Sequence, residues 1–358
     1  MIHSLLYICL LFQAQSATPA IPPEALALVQ SGIQAENSRD FDAAIADFRK
    51  AAEAAPSSAI VFFRLGGAYM QKGDYADAIP PLKHAAELDP DAPAIQQMLG
   101  FALLAAGYAS EAISHLEKVH EYGALGIAQL QTGQNVQAIA NLQAAIDKSP
   151  NDPDLVYYLS RAGASLSSQC LDKLLSAFPD SPRAHQAKGQ TLYEMKMYPE
   201  SIKEYQQALA LRPDLPGLRL ELGQVYAATA DWPKAEEQFQ LEAKAQPGNA
   251  EAAYRLGDAL LQKGKMKEAA VELQRSNTLR PDMPETLYSL GRALSTADPK
   301  AAAQAFTHVL DLEKDTPLAG QTYLALAGIH RKLGKPDQAA RDMQEFRRIQ
   351  ALTAPPSQ

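Results

Sequence analysis

The side chains best suited to metal chemistry lie close together in the sequence, as His115, Glu117, His120 and Glu121. Imidazole and carboxylate groups bind zinc, but two histidines on one helix face are normally four residues apart. His115 and His120 are five apart, no H-E-x-x-H sequence occurs, and no cysteine lies beside them. The spacing predicts solvated residues on a helix surface, and we expect no metal site.

Cys170 and His185 form the other pair that could do chemistry, as a nucleophile and its base. Such a pair needs a third group that orients the base, and the sequence offers none in an evident place. A lone cysteine usually packs as a small apolar residue, which is the role we predict for Cys170. The sequence also lacks G-x-S-x-G, Walker-type and G-x-G-x-x-G motifs. We therefore predict a protein that is not an enzyme and carries no cofactor.

Composition and charge are those of an ordinary folded protein. Abundant alanine and few β-branched residues favour helix. The net charge of −8 is spread along the 358 residues, without a basic stripe or an arginine cluster. A nucleic-acid partner is therefore not expected, because such binding needs a concentrated positive surface.

The N-terminus has the pattern of a secretory signal peptide. Leu5 to Phe12 form an apolar run, and Ala14-Gln15-Ser16 place small residues at the −3 and −1 positions of a cleavage site. We predict a signal peptide over 1–16, a mature chain starting at Ala17, and a linker over 17–24. No second apolar segment follows that could span a bilayer, so stable membrane insertion after cleavage is not expected. This predicts a secreted or periplasmic protein, whereas an uncleaved segment would indicate a cytoplasmic one.

The same residue classes return with a period of 34 residues. In its complete form the first helix of a unit carries a Leu-Gly pair and then a tyrosine, and the second carries an alanine, a large apolar residue and a closing proline. Two units show the pattern clearly, in Leu65-Gly66, Tyr69, Ala78, Leu82 and Pro90, and in Leu222-Gly223, Tyr226, Ala235, Phe239 and Pro247.

This pattern resembles the tetratricopeptide repeat. The resemblance implies an all-α fold, a right-handed superhelix of about ten helical hairpins, over residues 25–351, followed by a disordered tail over 352–358. The units would start near Ala25, Ala59, Pro93, Val119, Pro153, Pro182, Pro216, Ala250, Pro284 and Gly320.

The spacing within a unit has a physical reason. Leu65 and Tyr69 are four residues apart and therefore share one face of the first helix. Gly66 and the alanine of the second helix let the two helices approach closely. Gly73-Asp74 and Asp231 supply the turn and the N-cap for the second helix. A hairpin of this kind cannot bury its apolar residues alone, so neighbouring hairpins must stack.

Some units depart from the period. Gly100 and Gly126 are only 26 residues apart, so the third unit has lost the end of its second helix. The fifth unit, 153–181, is about five residues short and has Ser160 where glycine is expected, and the ninth has Ala-Asp-Pro at 297–299 in place of the glycine turn. We expect a kink or altered superhelical pitch around 115–175, and Pro80-Pro81 should bend the second helix of the second unit.

In this family, positions 2, 5, 9, 12 and 13 of the first helix line a concave groove. The N-terminal units place apolar residues there, and the C-terminal units place polar residues and tyrosines. The apolar set is Leu26, Val29, Ile33, Ile60, Phe63, Met70, Phe101 and Leu104; the polar set is Arg183, Gln186, Gln190, Tyr193, Glu194, Gln224, Glu251, Tyr254, Asp258, Gln262, Glu285, Tyr288 and Arg292. Some of the apolar residues could instead pack between hairpins, and both interpretations stay open.

The residues predicted to contact a partner are Ile60, Phe63, Met70, Phe101, Arg183, Gln190, Tyr193, Tyr254, Asp258, Tyr288 and Arg292. Tyrosine and arginine commonly anchor interfaces because each buries a large area and keeps a polar tip. Position 9 holds no asparagine in any unit, so the grip on chaperone tails known in this family is not supported. We predict a scaffold for peptide segments or helices of partner proteins in envelope or extracellular assembly. A periplasmic accessory of polysaccharide export, a cytoplasmic adaptor and self-association stay open.

Overall fold

The computed structural model describes residues 21–353, and this part of the chain contains nineteen α-helices and no strands. The prediction of an all-α fold is confirmed. The predicted signal peptide over 1–16, residues 17–20 of the predicted linker and residues 354–358 of the predicted tail lie outside the described residues. The chain divides into two compact units, and the boundary between Asp172 and Lys173 falls inside one helix.

The N-terminal unit consists of four helical hairpins and most of a ninth helix. Each helix from α1 to α7 contacts the next one, and the first helix of a hairpin also contacts the first helix of the following hairpin, for example α3 with α5 and α5 with α7. The helices are α1 (Pro23–Asn37), α2 (Phe41–Ala54), α3 (Ala59–Lys72), α4 (Tyr75–Leu88), α5 (Pro93–Ala105), α6 (Ala109–Lys118), α7 (Tyr122–Gln131), α8 (Asn135–Lys148) and α9 (Pro153–Ala177).

The C-terminal unit consists of five hairpins with the same arrangement. Here too the first helices contact each other, α10 with α12, α14 with α16 and α16 with α18. The helices are α10 (Pro182–Glu194), α11 (Tyr198–Leu211), α12 (Leu218–Ala228), α13 (Trp232–Ala245), α14 (Ala250–Gln262), α15 (Met266–Leu279), α16 (Pro284–Leu294), α17 (Pro299–Leu312), α18 (Pro317–Lys332) and α19 (Pro336–Thr353).

Glycines of the first helices allow the close approach within each hairpin. A Cβ atom built on Gly32 would lie 2.6 Å from Cε1 of Phe48, and one on Gly126 would lie 2.7 Å from Cγ of Leu142. Real Cβ atoms do not tolerate such distances, so only glycine fits against the large side chain of the second helix. The alanine of the second helix is fully buried in most hairpins, for example Ala44 in α2 and Ala78 in α4, and Ser201 takes this position in α11.

The tyrosine of the first helix joins consecutive hairpins. Arg49 of α2 donates a hydrogen bond from Nη2 to the Tyr69 hydroxyl of α3. In the C-terminal unit, Gln206 of α11 donates from Nε2 to the Tyr226 hydroxyl of α12 over 3.2 Å. Both rings are buried while their hydroxyls have a partner, which is the usual condition for a tyrosine in a core.

Of the two aspartates predicted to cap a second helix, Asp231 does so and Asp74 does not. Asp231 caps α13, because its Oδ1 accepts a hydrogen bond from the Lys234 amide over 3.4 Å. Gly73 has a φ of 90° and makes the turn between α3 and α4. The predicted capping role of Asp74 is wrong, since its carboxylate does not accept a bond from the start of α4. It pairs with Lys72 instead, with Oδ2 2.9 Å from Nζ.

The third and fifth units show the two largest departures from the repeat. Helix α6 has only 10 residues, as the shortened spacing predicts. The fifth unit, predicted as a short hairpin, is instead the single 25-residue helix α9. Most other hairpin turns contain a residue with positive φ, such as Gly107 and Gly264. The corresponding stretch 164–168 (ASLSS) has neither glycine nor proline, so nothing stops the helix there.

Prolines inside the chain are accommodated without breaking helices. Pro80 and Pro81 lie inside α4, which continues from Tyr75 to Leu88; the bend predicted there stays a prediction. At the turn of the ninth unit, Asp298 accepts a hydrogen bond from the Ala301 amide over 3.0 Å and so caps α17. Pro299 occupies the first position of that helix, where a missing amide hydrogen costs nothing.

Candidate partner-binding surfaces

The N-terminal unit contains an open cleft of about 1080 Å³. Its walls are the first helices α5, α7 and α9, with the end of α8 and the connection 149–152 between α8 and α9. Phe101 and Leu104 of the predicted groove line it, and four tyrosines join them: Tyr75, Tyr122, Tyr157 and Tyr158. We call this surface, defined by Phe101, Leu104 and these four tyrosines, the aromatic cleft.

The rings of the aromatic cleft are held by one another and by cations. Tyr157 and Tyr158 meet edge to face with ring centroids 5.4 Å apart, and the Tyr157 side chain is 57% exposed. The Lys148 ammonium lies 4.3 Å from the centroid of the Tyr122 ring. The Arg161 guanidinium lies 6.0 Å from that of Tyr157. A large exposed ring beside a packed one can bury apolar area against a ligand without reorganising.

Two of the carboxylates in this cleft have donors within the protein. Asp152 caps α9, because its Oδ1 accepts hydrogen bonds from the amides of Asp154 over 2.9 Å and Leu155 over 3.4 Å. Glu121 accepts one from Gln97 over 2.9 Å. These bonds fix the walls on which the rings are placed.

The cleft follows the groove register of the repeat through the irregular units. His120, Gly123, Ile127 and Gln131 occupy positions 2, 5, 9 and 13 of the fourth unit, and all four line the cleft. Tyr157 occupies position 5 of the fifth unit. Our sequence-based selection omitted Tyr122, Tyr157 and Tyr158, although the register alone identifies Tyr157. Tyr122 and Tyr158 lie outside the groove positions, and the shortened third and fifth units obscured the pattern.

The remaining residues predicted for the N-terminal groove do not all reach the surface. Ile60 is 39% exposed and Phe63 is half-buried. Met70 is 2% exposed and packs in the core with Leu65 and Leu103. Its side chain cannot contact a partner on this surface, so Met70 belongs to the alternative interpretation, packing between hairpins.

In the C-terminal unit, a first polar cluster joins α10, α11 and α12. The Arg183 guanidinium donates to Gln186 Oε1 over 2.5 Å, and Gln186 donates in turn to Glu221 over 2.8 Å. The Tyr205 hydroxyl donates to Gln190 Oε1 over 3.2 Å. Burial raises the pKa of the Glu221 carboxyl, against the opposing effect of its hydrogen bonds. Arg183 and Gln190 are exposed, so two of the predicted residues border this cluster.

Tyr193 lies next to the same cluster. It is half-buried, and its ring centroid is 5.9 Å from that of Tyr198. Burial raises the pKa of the Tyr205 hydroxyl, and the nearby Glu221 and Glu194 carboxylates raise it further. Tyr205 was absent from the sequence-based selection because its position lies on a second helix, where it fills the space left by Gly189.

A second polar cluster surrounds Tyr254 on α14. Its hydroxyl has a raised pKa, chiefly through burial and then through Asp258 one turn further along. Burial also raises the pKa of Asp258, and the guanidiniums of Arg292 and Arg255 oppose that effect. The structure therefore brings the predicted residues Tyr254, Asp258 and Arg292 together across α14 and α16. Tyr288 of α16 is half-buried and packs on Phe306, with ring centroids 5.7 Å apart.

The side chains considered above for metal binding or catalysis do not lie together in the structure. His115 bonds Gln96 over 2.6 Å, and burial lowers its pKa. His185 lies 2.7 Å from Glu204. Cys170 is exposed on α9, so the prediction that it packs as a small apolar residue is wrong; the expected second helix does not form there. Over residues 21–353, no three His, Cys, Asp or Glu side chains gather as a metal site requires.

The hairpin geometry defines an α-helical repeat protein of the solenoid class. Tetratricopeptide repeat models match residues 30–93, 124–169 and 220–284, and further models described as TPR repeat and tetratricopeptide repeat match 189–229 and 69–124. These matches span more than half of the chain. The chain belongs to the tetratricopeptide repeat family.

Several solved structures share this fold at low identity. MamA from Desulfovibrio magneticus RS-1 is 18% identical, with 49% of this chain and 98% of that chain covered and a TM-score of 0.46. YrrB, described as a TPR protein with an unusual peptide-binding site, is 18% identical, with coverage of 51% and 92% and a TM-score of 0.45. Yeast Tom70 is 13% identical, with coverage of 90% and 91% and a TM-score of 0.39. No curated protein matched the sequence.

Within residues 21–353, no helix combines the length and the apolar character needed to cross a membrane.

Proposed function

We propose that this protein is a non-enzymatic scaffold that binds segments of partner proteins, and that the aromatic cleft is its principal binding site. The observation that carries the proposal is the cleft itself, about 1080 Å³ in volume and lined by Phe101 and four tyrosines. Small-molecule pockets are usually no larger than about 1,000 Å³ and more enclosed. An open cleft of this size, built across two hairpins and helix α9, suits several residues of a peptide or a short helix.

The C-terminal unit offers a second, more polar contact region. Tyr193, Tyr254 and Tyr288 are half-buried, while Arg183 and Arg292 are exposed. This mixture suits the rim of an interface, where polar contacts add specificity more than affinity. We assign it a supporting role in partner binding.

A non-enzymatic role is supported by how the polar side chains are used. His185 lies against Glu204, and Asp152 caps the start of α9, so both side chains have a structural role.

The proposal is tested by selecting random displayed peptides on the purified chain. The wild type should enrich a peptide family with a recognisable consensus. The variant Tyr122→Ala with Tyr157→Ala should bind these peptides at least about tenfold more weakly, because buried aromatic anchors carry most of the binding energy of an interface.

Tyr108→Ala is the matched control. Tyr108 is 53% exposed, close to the exposure of Tyr157, and lies in the same unit, but it does not line the cleft. If wild type and the double variant bound the enriched peptides equally, or if Tyr108→Ala had the same effect, the cleft would not be the binding site.

The compartment forms part of the proposal. We infer that the chain is exported and acts in envelope or extracellular assembly, and the support is the apolar run Leu5 to Phe12 followed by Ala14-Gln15-Ser16. N-terminal sequencing of the protein from its native host should find Ala17 as the first residue. A retained Met1 would remove this part of the proposal.

A polysaccharide partner is the second candidate, and the exposed Tyr157 ring favours it, since sugar binding uses aromatic platforms. Titration of the wild type and of Tyr157→Ala with soluble oligosaccharides separates the two functions. Saturable binding that Tyr157→Ala abolishes would favour polymer guidance over peptide binding.

A further inference from the structure

Lys148 lines the aromatic cleft, and Arg161 lies beside Tyr157, one of the tyrosines that define it. The Lys148 ammonium is 4.3 Å from the centroid of Tyr122, and the Arg161 guanidinium is 6.0 Å from that of Tyr157. Both side chains are exposed, and across residues 21–353 neither forms an ion pair with a carboxylate. His120, whose ring centroid is 6.1 Å from that of Tyr122, adds a third basic group at the same wall.

The carboxylates that line the aromatic cleft differ from these cations in their surroundings. Asp152 accepts hydrogen bonds from two amides at the start of α9, and Glu121 accepts a hydrogen bond from Gln97. Asp154, the third lining carboxylate, lies in the first turn of α9, where the helix dipole favours a negative charge. Asp152 and Glu121 are thus bonded within the protein, whereas, among residues 21–353, Lys148 and Arg161 contact tyrosine rings.

We propose that the segment bound in the aromatic cleft carries an aspartate or glutamate side chain that pairs with Lys148, with Arg161 at the cleft edge as the second cation. An aromatic or large aliphatic side chain of the same segment packs among Tyr122, Tyr157 and Tyr158. The inference rests on the proposed function, because it names the chemistry of the ligand for that same cleft.

The physical argument is one of charge complementarity. A cation that lies on an aromatic face is attracted to the ring but keeps its other side open, so it can pair with an anion at the same time. The whole chain has a net charge of −8. Lys148 in the aromatic cleft of this acidic protein therefore favours partner segments that place a negative charge nearby, where the separation is shorter than the screening length.

The test uses synthetic peptides taken from the consensus enriched on the wild-type chain. Each acidic residue of a peptide is replaced by its amide, Asp→Asn or Glu→Gln, and the dissociation constants are measured for the wild type, for Lys148→Gln and for Lys148→Arg. One acid-to-amide change should weaken binding about threefold to tenfold to the wild type. The same change should have little effect on Lys148→Gln, and Lys148→Arg should restore the discrimination.

Lys50→Gln is the matched control, since Lys50 is exposed in the same unit and outside the cleft. It should retain the full effect of the acid-to-amide change. If peptides bind through the cleft but every acid can be replaced without loss, or if Lys148→Gln still discriminates acid from amide, this inference is overturned while the proposed function stands. If no peptide binds at all, the proposed function fails and the inference fails with it.

Discussion

Gly257 of α14 lies directly against the side chain of Leu273 on α15. A Cβ atom at Gly257 would be 2.6 Å from Cγ and 2.9 Å from Cδ2 of that leucine, and 3.3 Å from its backbone nitrogen. Leu273 is fully buried, so it has no free space into which to move. This single contact sets how closely the two helices of the hairpin approach.

Gly257→Ala should therefore lower the free energy of unfolding by about 1–3 kcal/mol, the usual cost of overpacking a core. Gly328→Ala is the control: Gly328 also lies in a first helix of the C-terminal unit, but no atom lies within 4 Å of its Cβ position. That change should be neutral or stabilise by up to about 1 kcal/mol, because alanine is the better helix former. Urea denaturation of both variants measures these changes in the free energy of unfolding. Equal denaturation midpoints for the two variants would contradict the packing argument.

Tyr226→Phe should lower the free energy of unfolding by about 1 kcal/mol, since it removes the hydrogen bond that Gln206 donates between hairpins. Tyr198→Phe is the comparison, because the Tyr198 hydroxyl has no hydrogen-bond partner among the described residues. Thermal denaturation followed by circular dichroism measures both. A larger loss for Tyr198→Phe would show that the hydroxyl of Tyr226 does not join the hairpins.

Met70→Ala should lower the free energy of unfolding by about 2–5 kcal/mol because it opens a cavity in the core. Ile60→Ala, at a position 39% exposed, should cost less than about 1.5 kcal/mol. Urea denaturation of both variants measures the two losses in the free energy of unfolding. A stable Met70→Ala with impaired peptide binding would return Met70 to the binding surface and contradict its placement in the structure.

Glu221→Gln should raise the melting temperature, and more so at neutral than at acidic pH. Burial raises the pKa of this carboxyl above its value of 4.5 in the unfolded chain. The folded protein then holds the proton more tightly, so the favourable contribution of Glu221 is complete below about pH 4.5 and is lost as the pH rises through the folded pKa. The glutamine stays neutral and can still accept the hydrogen bond from Gln186.

The measurement compares the melting temperatures of wild type and variant at about pH 4.5 and about pH 7.5, where we expect a gain of roughly 2–4 °C only at the higher pH. Glu237→Gln is the control, because Glu237 is an exposed carboxylate of α13 and its loss changes the net charge equally. A gain of the same size at both pH values would show that burial of Glu221 does not penalise its charge.

The repeat made most of the fold predictable. Gly66, Tyr69 and Ala78 recur in phase in other units because each must meet a partner of fixed size in the same or the neighbouring hairpin, and such constraints are visible in the sequence. The absence of a hairpin at α9 was harder to foresee. The length of the fifth unit allows a short hairpin, and only the missing turn signal at 164–168 favours a continuous helix.

The aromatic cleft was predictable only in part. Phe101 and Leu104, which the register assigns to the groove, line the cleft. The register could not show that Met70 turns into the core, because positions 11 to 13 lie at the edge between the groove and the interface of neighbouring hairpins. Tyr122 and Tyr158 line the cleft because α7, α8 and α9 follow closely on one another along the chain. That arrangement depends on the shortened third unit and on helix α9, which continues where a turn was expected.

Helix α9 also has a consequence for the way the protein unfolds. In repeat proteins, melting spreads from one repeat to the next through the surface that the two share. The boundary between the two compact units falls inside α9, and each unit has its own hydrophobic clusters, so thermal unfolding should give two overlapping calorimetric peaks. A ligand of the aromatic cleft would then move the peak of the N-terminal unit alone, and the thermogram would report where a partner binds.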